Sequence, residues 1–321
     1  MRQLRSTLGS WEGFLLAVLV LIYLVNAMNS AVFLTVGNQI NMFQLSVEKI
    51  IVALVMTFVI INGEIDLSVA SVMGLAACAF GWLVQAGVPS AGAVAIAMAI
   101  GFLCGAFNAF FIVWFGIPSL VVTLATMIAF RGFARVLVED RGISDFPDWF
   151  DRLGQGGFIG PVPFAMVVFA VLALIAYLLL QRTAFGRKVY FIGANRAVAE
   201  YSGLDVKVVK AKIFIASGVI SALAGLLFAA RVGAVRGDIA SGFELDVITM
   251  VLLGGVSIFG GAGTMSGTIL AILIVLAMRN GMALQNITGH IQTGVLGVLL
   301  ILSVMVPIIR ETGSRMMARA R

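Results

Sequence analysis

The apolar residues of this chain lie in long runs, and short polar segments separate those runs. A helix needs about 20 mostly apolar residues to cross a bilayer. Ten segments meet or approach that length, and they cover residues 14–34, 47–61, 67–85, 92–114, 118–137, 162–180, 213–230, 246–259, 264–281 and 292–309. The pattern predicts an all-α polytopic membrane protein with about ten transmembrane helices.

The composition excludes most soluble classes of protein. Only 11% of the 321 residues are charged and 61% are hydrophobic, whereas an ordinary soluble domain has about 25% charged residues. The net charge of +6 does not indicate nucleic-acid binding, because the basic residues lie in short loops rather than on one folded face. We therefore expect membrane lipid, and no nucleic acid, as a partner.

The charges of the loops predict the orientation of the spans, because Lys and Arg are retained on the cytoplasmic side during insertion. The loop 181–212 carries seven basic residues against Glu200 and Asp205, so we expect it to be cytoplasmic. The loop 138–160 carries more acidic than basic residues and is expected outside. Basic residues near both ends of the chain predict two cytoplasmic termini and an even number of spans.

These loops divide the chain into two halves within one transmembrane domain, 1–321. The first half covers about 14–137 and the second about 162–309, with the cytoplasmic loop 181–212 inside the second. Five spans in each half give the halves opposite orientations in the membrane, as in transporters that are built from inverted repeats. The fold class we predict is therefore two inverted five-helix halves with broken or short helices.

Two further features predict how the spans pack. Gly101 and Gly105 are four residues apart in the fourth span, a spacing that lets two helices approach closely. Near the ends of spans lie four arginines whose long basic side chains can extend to the lipid headgroups, namely Arg131, Arg135, Arg231 and Arg236.

An acidic motif recurs at the third span of each half. Glu64 and Asp66 open the span 67–85, and Glu244 and Asp246 open the eighth span with the same Glu-apolar-Asp-apolar pattern. The neighbouring run 47–61 and the eighth span itself are too short to cross the hydrocarbon core as straight helices. Irregular backbone at membrane depth is found where it lines a cavity or is buried in protein. Each motif either lines a transport pathway or caps the helix that follows, with Asp66 and Asp246 as the caps.

The motifs of enzymes and ATPases are missing from the sequence. It contains no Gly-x-x-x-x-Gly-Lys-Ser/Thr phosphate loop, no His-Glu-x-x-His pattern and a single histidine. Cys78 and Cys104 stand alone in apolar runs. We predict no catalytic residue, no cofactor and no metal site, and we expect that this chain does not itself bind ATP.

Three segments in register carry a resemblance to a known family. Residues 62–69, 186–203 and 244–264 together resemble the permease subunit of ribose-type ATP-binding-cassette (ABC) importers. Such permeases lie in the bacterial inner membrane and carry ribose, rhamnose, other monosaccharides or a furanone autoinducer. The resemblance implies a cytoplasmic ABC ATPase, a periplasmic solute-binding protein, and a second permease copy or a paralogue as partners. It also implies a small neutral sugar or sugar-like solute.

The resemblance implies that the loop 186–203 contains the helix that couples the permease to the ATPase. The residues themselves predict a short helix that Asn195 caps and Gly203 ends. So short a helix is marginal alone, which leaves two interpretations open: it docks on the ATPase, or it rests on lipid headgroups. The coupling residues we expect are Asn195, Ala199, Glu200, Ser202 and Gly203.

The expected pathway residues are polar side chains near or within the spans. They comprise Asn62, Glu64, Asp66, Ser68, Asn108, Thr123, Glu244 and Asp246. Glu64 departs from the family pattern, which has glycine there, and so does Ala70. The alternative function is an ion-coupled secondary transporter that uses the carboxylates of Glu64, Asp66, Glu244 and Asp246.

Overall fold

The computed structural model describes residues 11–139, 141–302 and 305. Its helices are α1 (Trp11–Asn29), α2 (Val36–Gln44), α3 (Val47–Ile61), α4 (Val69–Gln85), α5 (Ser90–Val113), α6 (Ser119–Val138), α7 (Asp148–Gln155), α8 (Phe164–Arg182), α9 (Ala184–Ala194), α10 (Arg196–Tyr201), α11 (Val206–Val232), α12 (Phe243–Leu253), α13 (Met265–Leu284) and α14 (Gly289–Leu302). The strands are β1 (Ile143–Ser144), β2 (Gly157–Ile159), β3 (Val162–Pro163) and β4 (Ala234–Val235).

The helices confirm the all-α polytopic membrane fold. Within the described residues, α1, α5, α6, α8, α11 and α13 are each long and apolar enough to cross a membrane. The pair α2 and α3 reaches the same length across a bend of 59°, while α4 and α14 are shorter apolar helices. Each of the ten predicted spans overlaps one helix, although residues 303, 304 and 306–309 of the last span lie outside the described part.

The predicted interruption of the eighth span is confirmed. Helix α12 ends at Leu253, so its 11 residues span only about 16 Å. The following segment, 254–264, is irregular, and its Gly255 and Gly260 have φ angles of 84° and 83°. Residues with a Cβ atom rarely adopt this left-handed conformation. The glycines therefore end the helix and permit the irregular segment.

Helix α11 is the centre of the bundle and packs most extensively against α5, with α4 and α3 as further neighbours. A Cβ atom on Gly218 would lie 2.2 Å from the carbonyl oxygen of Gly101. One on Gly105 would lie 2.5 Å from the carbonyl oxygen of Phe214. The two helices thus meet backbone to backbone, and the close packing predicted from the Gly101 and Gly105 spacing is confirmed.

The two long loops lie at opposite ends of α11. The loop between α6 and α8 folds onto the end of α11, where Ile143 of β1 pairs with Val235 of β4 and Phe150 of α7 stacks on Phe80 at 4.1 Å. Helices α9 and α10 precede the start of α11. A helix of 27 residues is about 40 Å long. We call these the α7 end and the α9 end of the bundle.

Replacing both Gly101 and Gly105 with alanine is expected to lower the free energy of unfolding by about 1–3 kcal/mol, because overpacking forces the backbones of α5 and α11 apart. The measurement is the thermal unfolding midpoint of the detergent-purified protein. Gly132→Ala on α6 is the matched control, since a Cβ there has no atom within 4 Å. A double variant as stable as the control would contradict the backbone contact.

Candidate functional site

The two acidic motifs lie at opposite ends of α3. Near its start, the Lys49 ammonium donates to Asp246 at 2.6 Å. At its end, the carbonyl of Ile61 accepts a hydrogen bond from the amide of Gly261 at 2.8 Å, and the loop 62–68 with the first motif follows directly. A 15-residue helix separates them by about 22 Å. Opposite ends of the bundle are where inverted halves would place equivalent motifs.

Asp66 is buried and holds the loop 62–68 to its neighbours. Its Oδ1 accepts from the amide and the hydroxyl of Ser68 at 2.9 and 2.6 Å, and its Oδ2 accepts from the hydroxyl of Ser217 on α11 at 2.7 Å. The Asn108 amide of α5 donates to Ser68 Oγ at 2.8 Å. The N-cap of α4 is Ser68, so the interpretation of Asp66 as the helix cap is wrong. Asp66 binds the cap residue itself and also Ser217 of α11.

Two more expected pathway residues lie in or beside this loop. The Thr123 hydroxyl donates to the carbonyl of Ser119 at 2.8 Å within α6. The Asn62 side chain is buried, and its Oδ1 atom has no hydrogen-bond partner among the described residues. Asn62, Ser68, Asn108 and Thr123 therefore all face the interior of the bundle, with protein around them.

Glu64 forms a salt bridge with Lys210, and both side chains are largely buried. Lys210 lies in the first turns of α11, so the pair joins the loop 62–68 to the central helix. The extra negative charge that Glu64 brings is thus neutralised inside the chain. Sequence reasoning missed this partner, because Lys210 contributed there only to the positive charge of the loop 181–212.

Asp246 is bound by two cations at the α7 end of the bundle. It accepts from Lys49 at 2.6 Å and from Arg279 of α13 at 2.8 Å. Helix α12 begins at Phe243, and Asp246 lies inside its first turn rather than before it. The interpretation of Asp246 as a helix cap is therefore wrong.

Two arginines near the α7 end also have buried acidic partners. Arg131 lies 3.5 Å from Glu244, and Arg231 donates to Glu48 at 2.6 Å. The Glu48 residue is fully buried, and a buried carboxylate is stable only with a partner. Arg131 and Arg231 therefore bind acidic side chains across helices, and the expectation that they simply extend to the lipid headgroups is wrong.

These pairs bear on the ion-coupled alternative. Glu64, Glu244 and Asp246 each have a cationic side chain as partner. A carboxylate that is already neutralised by Lys or Arg attracts a transported cation weakly. Asp66 alone of the four is bound by hydroxyl and amide groups. The carboxylates are arranged as structural pairs rather than as a set of ion ligands, which does not favour the alternative.

The elbow formed by α9 and α10 contains the expected coupling residues. The Asn195 side chain accepts from the amide of Val198 at 3.1 Å, which confirms the predicted cap. Gly203 has φ 78° just after α10, which confirms it as the end of the helix. The Ser202 hydroxyl donates to the carbonyl of Val198 at 2.8 Å. These residues fix the shape of the elbow.

The outward face of the elbow differs from the expected coupling set. Ala199 is fully buried, so it packs within the chain rather than against a partner. Glu200 pairs with Arg196 at 2.9 Å on the surface. Tyr201 is 93% exposed and Val198 is 47% exposed. Two residues outside the expected set, Tyr201 and Val198, thus contribute the large apolar side chains on the free surface of α10, and Phe191 of α9 is exposed as well.

The base of the elbow meets two loops in a close backbone contact. A Cβ on Gly193 would lie 1.8 Å from the carbonyl oxygen of Ile61, and one on Gly260 would lie 2.8 Å from the Cα of Gly63. The Gly261 amide donates a hydrogen bond to the carbonyl of Ile61 in the same contact. We call Gly63, Gly193, Gly260 and Gly261 the glycine junction. It joins α9 to the loop after α3 and to the segment 254–264.

Tyr190 of α9 adds a side-chain tie to the same segment. Its hydroxyl donates to the carbonyl of Gly263 at 2.7 Å. Burial raises the pKa of the Tyr190 phenol above its usual value, so the group stays protonated at neutral pH and keeps its proton to donate. Gly193 and Tyr190 were not expected from the sequence, because their partners are far away along the chain.

A bundle of long apolar helices with buried ion pairs, an irregular helix break and an exposed loop elbow defines a polytopic membrane protein. Residues 38–304 match the family described as the branched-chain amino acid transport system permease component. The chain belongs to this family, whose members are multi-pass proteins of the inner membrane.

Proteins with similar sequences are permease subunits as well. The chain is 38% identical to the autoinducer 2 import system permease protein LsrD of Yersinia enterocolitica, covering 92% of this chain and 91% of that protein. It is 36% identical to LsrD of Yersinia pseudotuberculosis, covering 92% and 90%. The solved structure of an ABC transporter in an inward-facing conformation matches with a TM-score of 0.50 and 16% identity, covering 91% of this chain and 99% of that one. That last match concerns the fold alone.

Glu64→Gly is expected to destabilise the protein by about 3 kcal/mol, because it leaves Lys210 buried without its partner. The double variant Glu64→Gly/Lys210→Met is expected to recover most of that loss. The measurement is a double-mutant cycle on the unfolding midpoint in detergent. Arg236→Met, which breaks an exposed pair with Asp238, is the control and should change stability by under about 1 kcal/mol. Equal instability of the single and double variants would contradict the pairing.

Proposed function

We propose that this chain is the permease subunit of an ABC importer that carries a small neutral sugar-like solute, and that autoinducer 2 is the first solute to test. Two LsrD proteins of autoinducer 2 import systems are its relatives over about nine-tenths of both chains. The resemblance of the segments 62–69, 186–203 and 244–264 supports the same class. Ribose and rhamnose are the alternatives within it.

The observation that carries the proposal is the elbow of α9 and α10. Its free surface has the aromatic ring of Tyr201 and the side chain of Val198 exposed, and aromatic residues of this kind supply much of the binding energy at protein interfaces. We assign this surface to the cytoplasmic ABC ATPase. In this proposal, coupling also depends on the residues that fix the shape of the elbow, namely Asn195, Ala199, Glu200, Ser202 and Gly203.

The coupling step we propose is mechanical. Closure of the ATPase displaces the elbow, and the glycine junction transmits the displacement to the loop 62–68 and the segment 254–264. Both loops adjoin the ends of interrupted helices. Closely packed backbones switch between discrete arrangements rather than deform continuously, so these helices can reorient together with the loops. The pathway then opens on one side of the membrane and closes on the other.

The solute pathway in this proposal runs along the residues expected from the sequence. Asn62, Ser68, Asn108 and Thr123 supply neutral donors and acceptors, which suit a hydroxylated solute that has to be released again. Glu64, Asp66, Glu244 and Asp246 position the surrounding helices through their pairs. All eight contact their own chain in this arrangement, so the solute reaches them only after the helices move.

The remaining partners and the orientation follow from the same class. A periplasmic solute-binding protein delivers the solute at the α7 end, and a second permease copy or a paralogue completes the pathway within the surrounding lipid. The α9 end is cytoplasmic in this proposal, as are both termini. The halves 14–137 and 162–309 of the domain 1–321 move as inverted units.

Uptake should depend on ATP and on the ATPase partner, and it should survive loss of the ion gradients. The assay is solute uptake into proteoliposomes that contain the permease, its ATPase and its binding protein, with ionophores that collapse the proton and sodium gradients. Labelled autoinducer 2, ribose and rhamnose are compared in parallel. Uptake that stops with the gradient while ATP is present would overturn the proposal in favour of the ion-coupled transporter.

Tyr201→Ala is expected to weaken binding of the ATPase at least about tenfold, because it removes the largest exposed apolar side chain of the elbow. The measurement is the affinity of the detergent-solubilised permease for the purified ATPase, together with uptake. Phe158→Ala is the matched control, an exposed aromatic residue at the α7 end. Unchanged ATPase affinity in Tyr201→Ala would contradict docking on this surface.

A further inference from the structure

A cleft of about 180 Å³ lies between α3, α8 and α11, close to the α9 end. Side chains of Phe58, Ala176 and Ile220 are among those that line it, and Phe185 of α9 contributes to the same lining. Lys212 is the sole polar residue in the lining. The cleft is separate from the polar residues of the pathway and from the glycine junction.

The lining of the cleft decides the chemistry of its occupant. A sugar-like solute needs several hydrogen-bonding groups, and thirteen lining residues offer one ammonium group. An apolar protein cavity of about 150 Å³ takes up a benzene-sized apolar guest, so this cleft has room for a segment of a hydrocarbon chain. An apolar chain with one anionic group fits better than a neutral polar solute.

The positive charge is concentrated at one end of the cleft. Lys212 is exposed, and no carboxylate forms a salt bridge with it in the part of the chain that the structure describes. Arg182 and Lys188 are also exposed and follow the lining residues Leu179 and Phe185 by three positions in their helices. Helical residues three apart lie on one face, so both cations lie near the same opening.

The same end of the bundle carries the basic loop that the charge pattern places at the cytoplasmic surface. The cytoplasmic leaflet of a membrane is rich in anionic lipids, and each nearby Lys or Arg attracts them. A phospholipid in that leaflet would present its phosphate at the level of Lys212 and its acyl chain toward the middle of the membrane. The apolar cleft extends from Lys212 along α8 and α11 in the same sense.

We propose that this cleft binds one anionic phospholipid, with an acyl chain between α3, α8 and α11 and the phosphate paired to Lys212. The lipid would contact α3, which joins the two acidic motifs, and α11, the central helix. The proposal rests on the cleft, on its charges and on the proposed orientation with the α9 end in the cytoplasm, and not on the identity of the transported solute.

Native mass spectrometry of the full-length protein, released from nanodiscs that hold equal amounts of phosphatidylglycerol and phosphatidylcholine, tests this site. Lys212→Gln should lower retention of phosphatidylglycerol about fivefold, because it removes one charge near the surface, and should leave phosphatidylcholine retention unchanged. Ala216→Phe, which places a ring in the cleft, should lower retention of both lipids. Ala216 and Lys212 are exposed, so neither change disturbs the core.

Two controls match these variants. Lys207→Gln removes an exposed lysine of α11 outside the cleft, and Ala170→Phe enlarges an exposed alanine of α8 outside it. Both should retain lipid as the unchanged protein does. Equal retention in each variant and its control would overturn the proposal, and so would displacement of the lipid by glycerol 3-phosphate, which would indicate a phosphate site without a chain. Displacement by labelled sugar or autoinducer 2 would assign the cleft to the solute instead.

Discussion

Polar groups inside the bundle have to be satisfied by other groups of the protein, because the hydrocarbon core of a membrane offers them no water. The buried charges of this chain follow that constraint. Glu48 binds Arg231, Glu64 binds Lys210, and Asp246 binds both Lys49 and Arg279. Three of these pairs join segments that are 146 to 197 positions apart, and the Asp246–Arg279 pair joins the consecutive helices α12 and α13. The constraint therefore fixes the arrangement of the bundle as well as its charge balance.

The glycines apply a second constraint at the places where helices and loops meet. Helices α5 and α11 come so close that Gly101 and Gly218 leave no space for a methyl group. The glycine junction does the same for the elbow and two loops. A contact between backbones has no flexible side chain to absorb displacement, so it passes motion on. This property makes the junction a suitable mechanical link between an ATPase and a pathway.

The elements of the proposed transport cycle are spatially separate. The surface of Tyr201 and Val198 faces away from the bundle, the polar pathway residues face its interior, and the apolar cleft opens beside Lys212. Each of these three regions has different surroundings: water around the elbow, protein around the pathway residues and hydrocarbon around the cleft. Their side chains differ accordingly in polarity. Helix α11 lines the cleft and also binds two of the pathway residues, Asp66 through Ser217 and Glu64 through Lys210.

The sequence by itself determined the membrane class, the approximate positions of the spans, the opposite placement of the two long loops and an interruption in the eighth span. Each of these depends on local composition: apolar length, loop charge or glycine content. The cap at Asn195 and the close packing at Gly101 and Gly105 were predictable for the same reason.

Only the tertiary structure decided which residues act on one another. Lys210 lies 146 positions from Glu64 along the chain, and no local pattern joins them. The burial of Ala199, the exposure of Tyr201 and the contact of Gly193 with Ile61 likewise depend on the way distant segments pack. Apolar runs and charges indicate whether a segment faces lipid or water. They do not indicate which other segment packs beside it, because many different segments could bury the same side chains. Only the folded chain shows which of them does so.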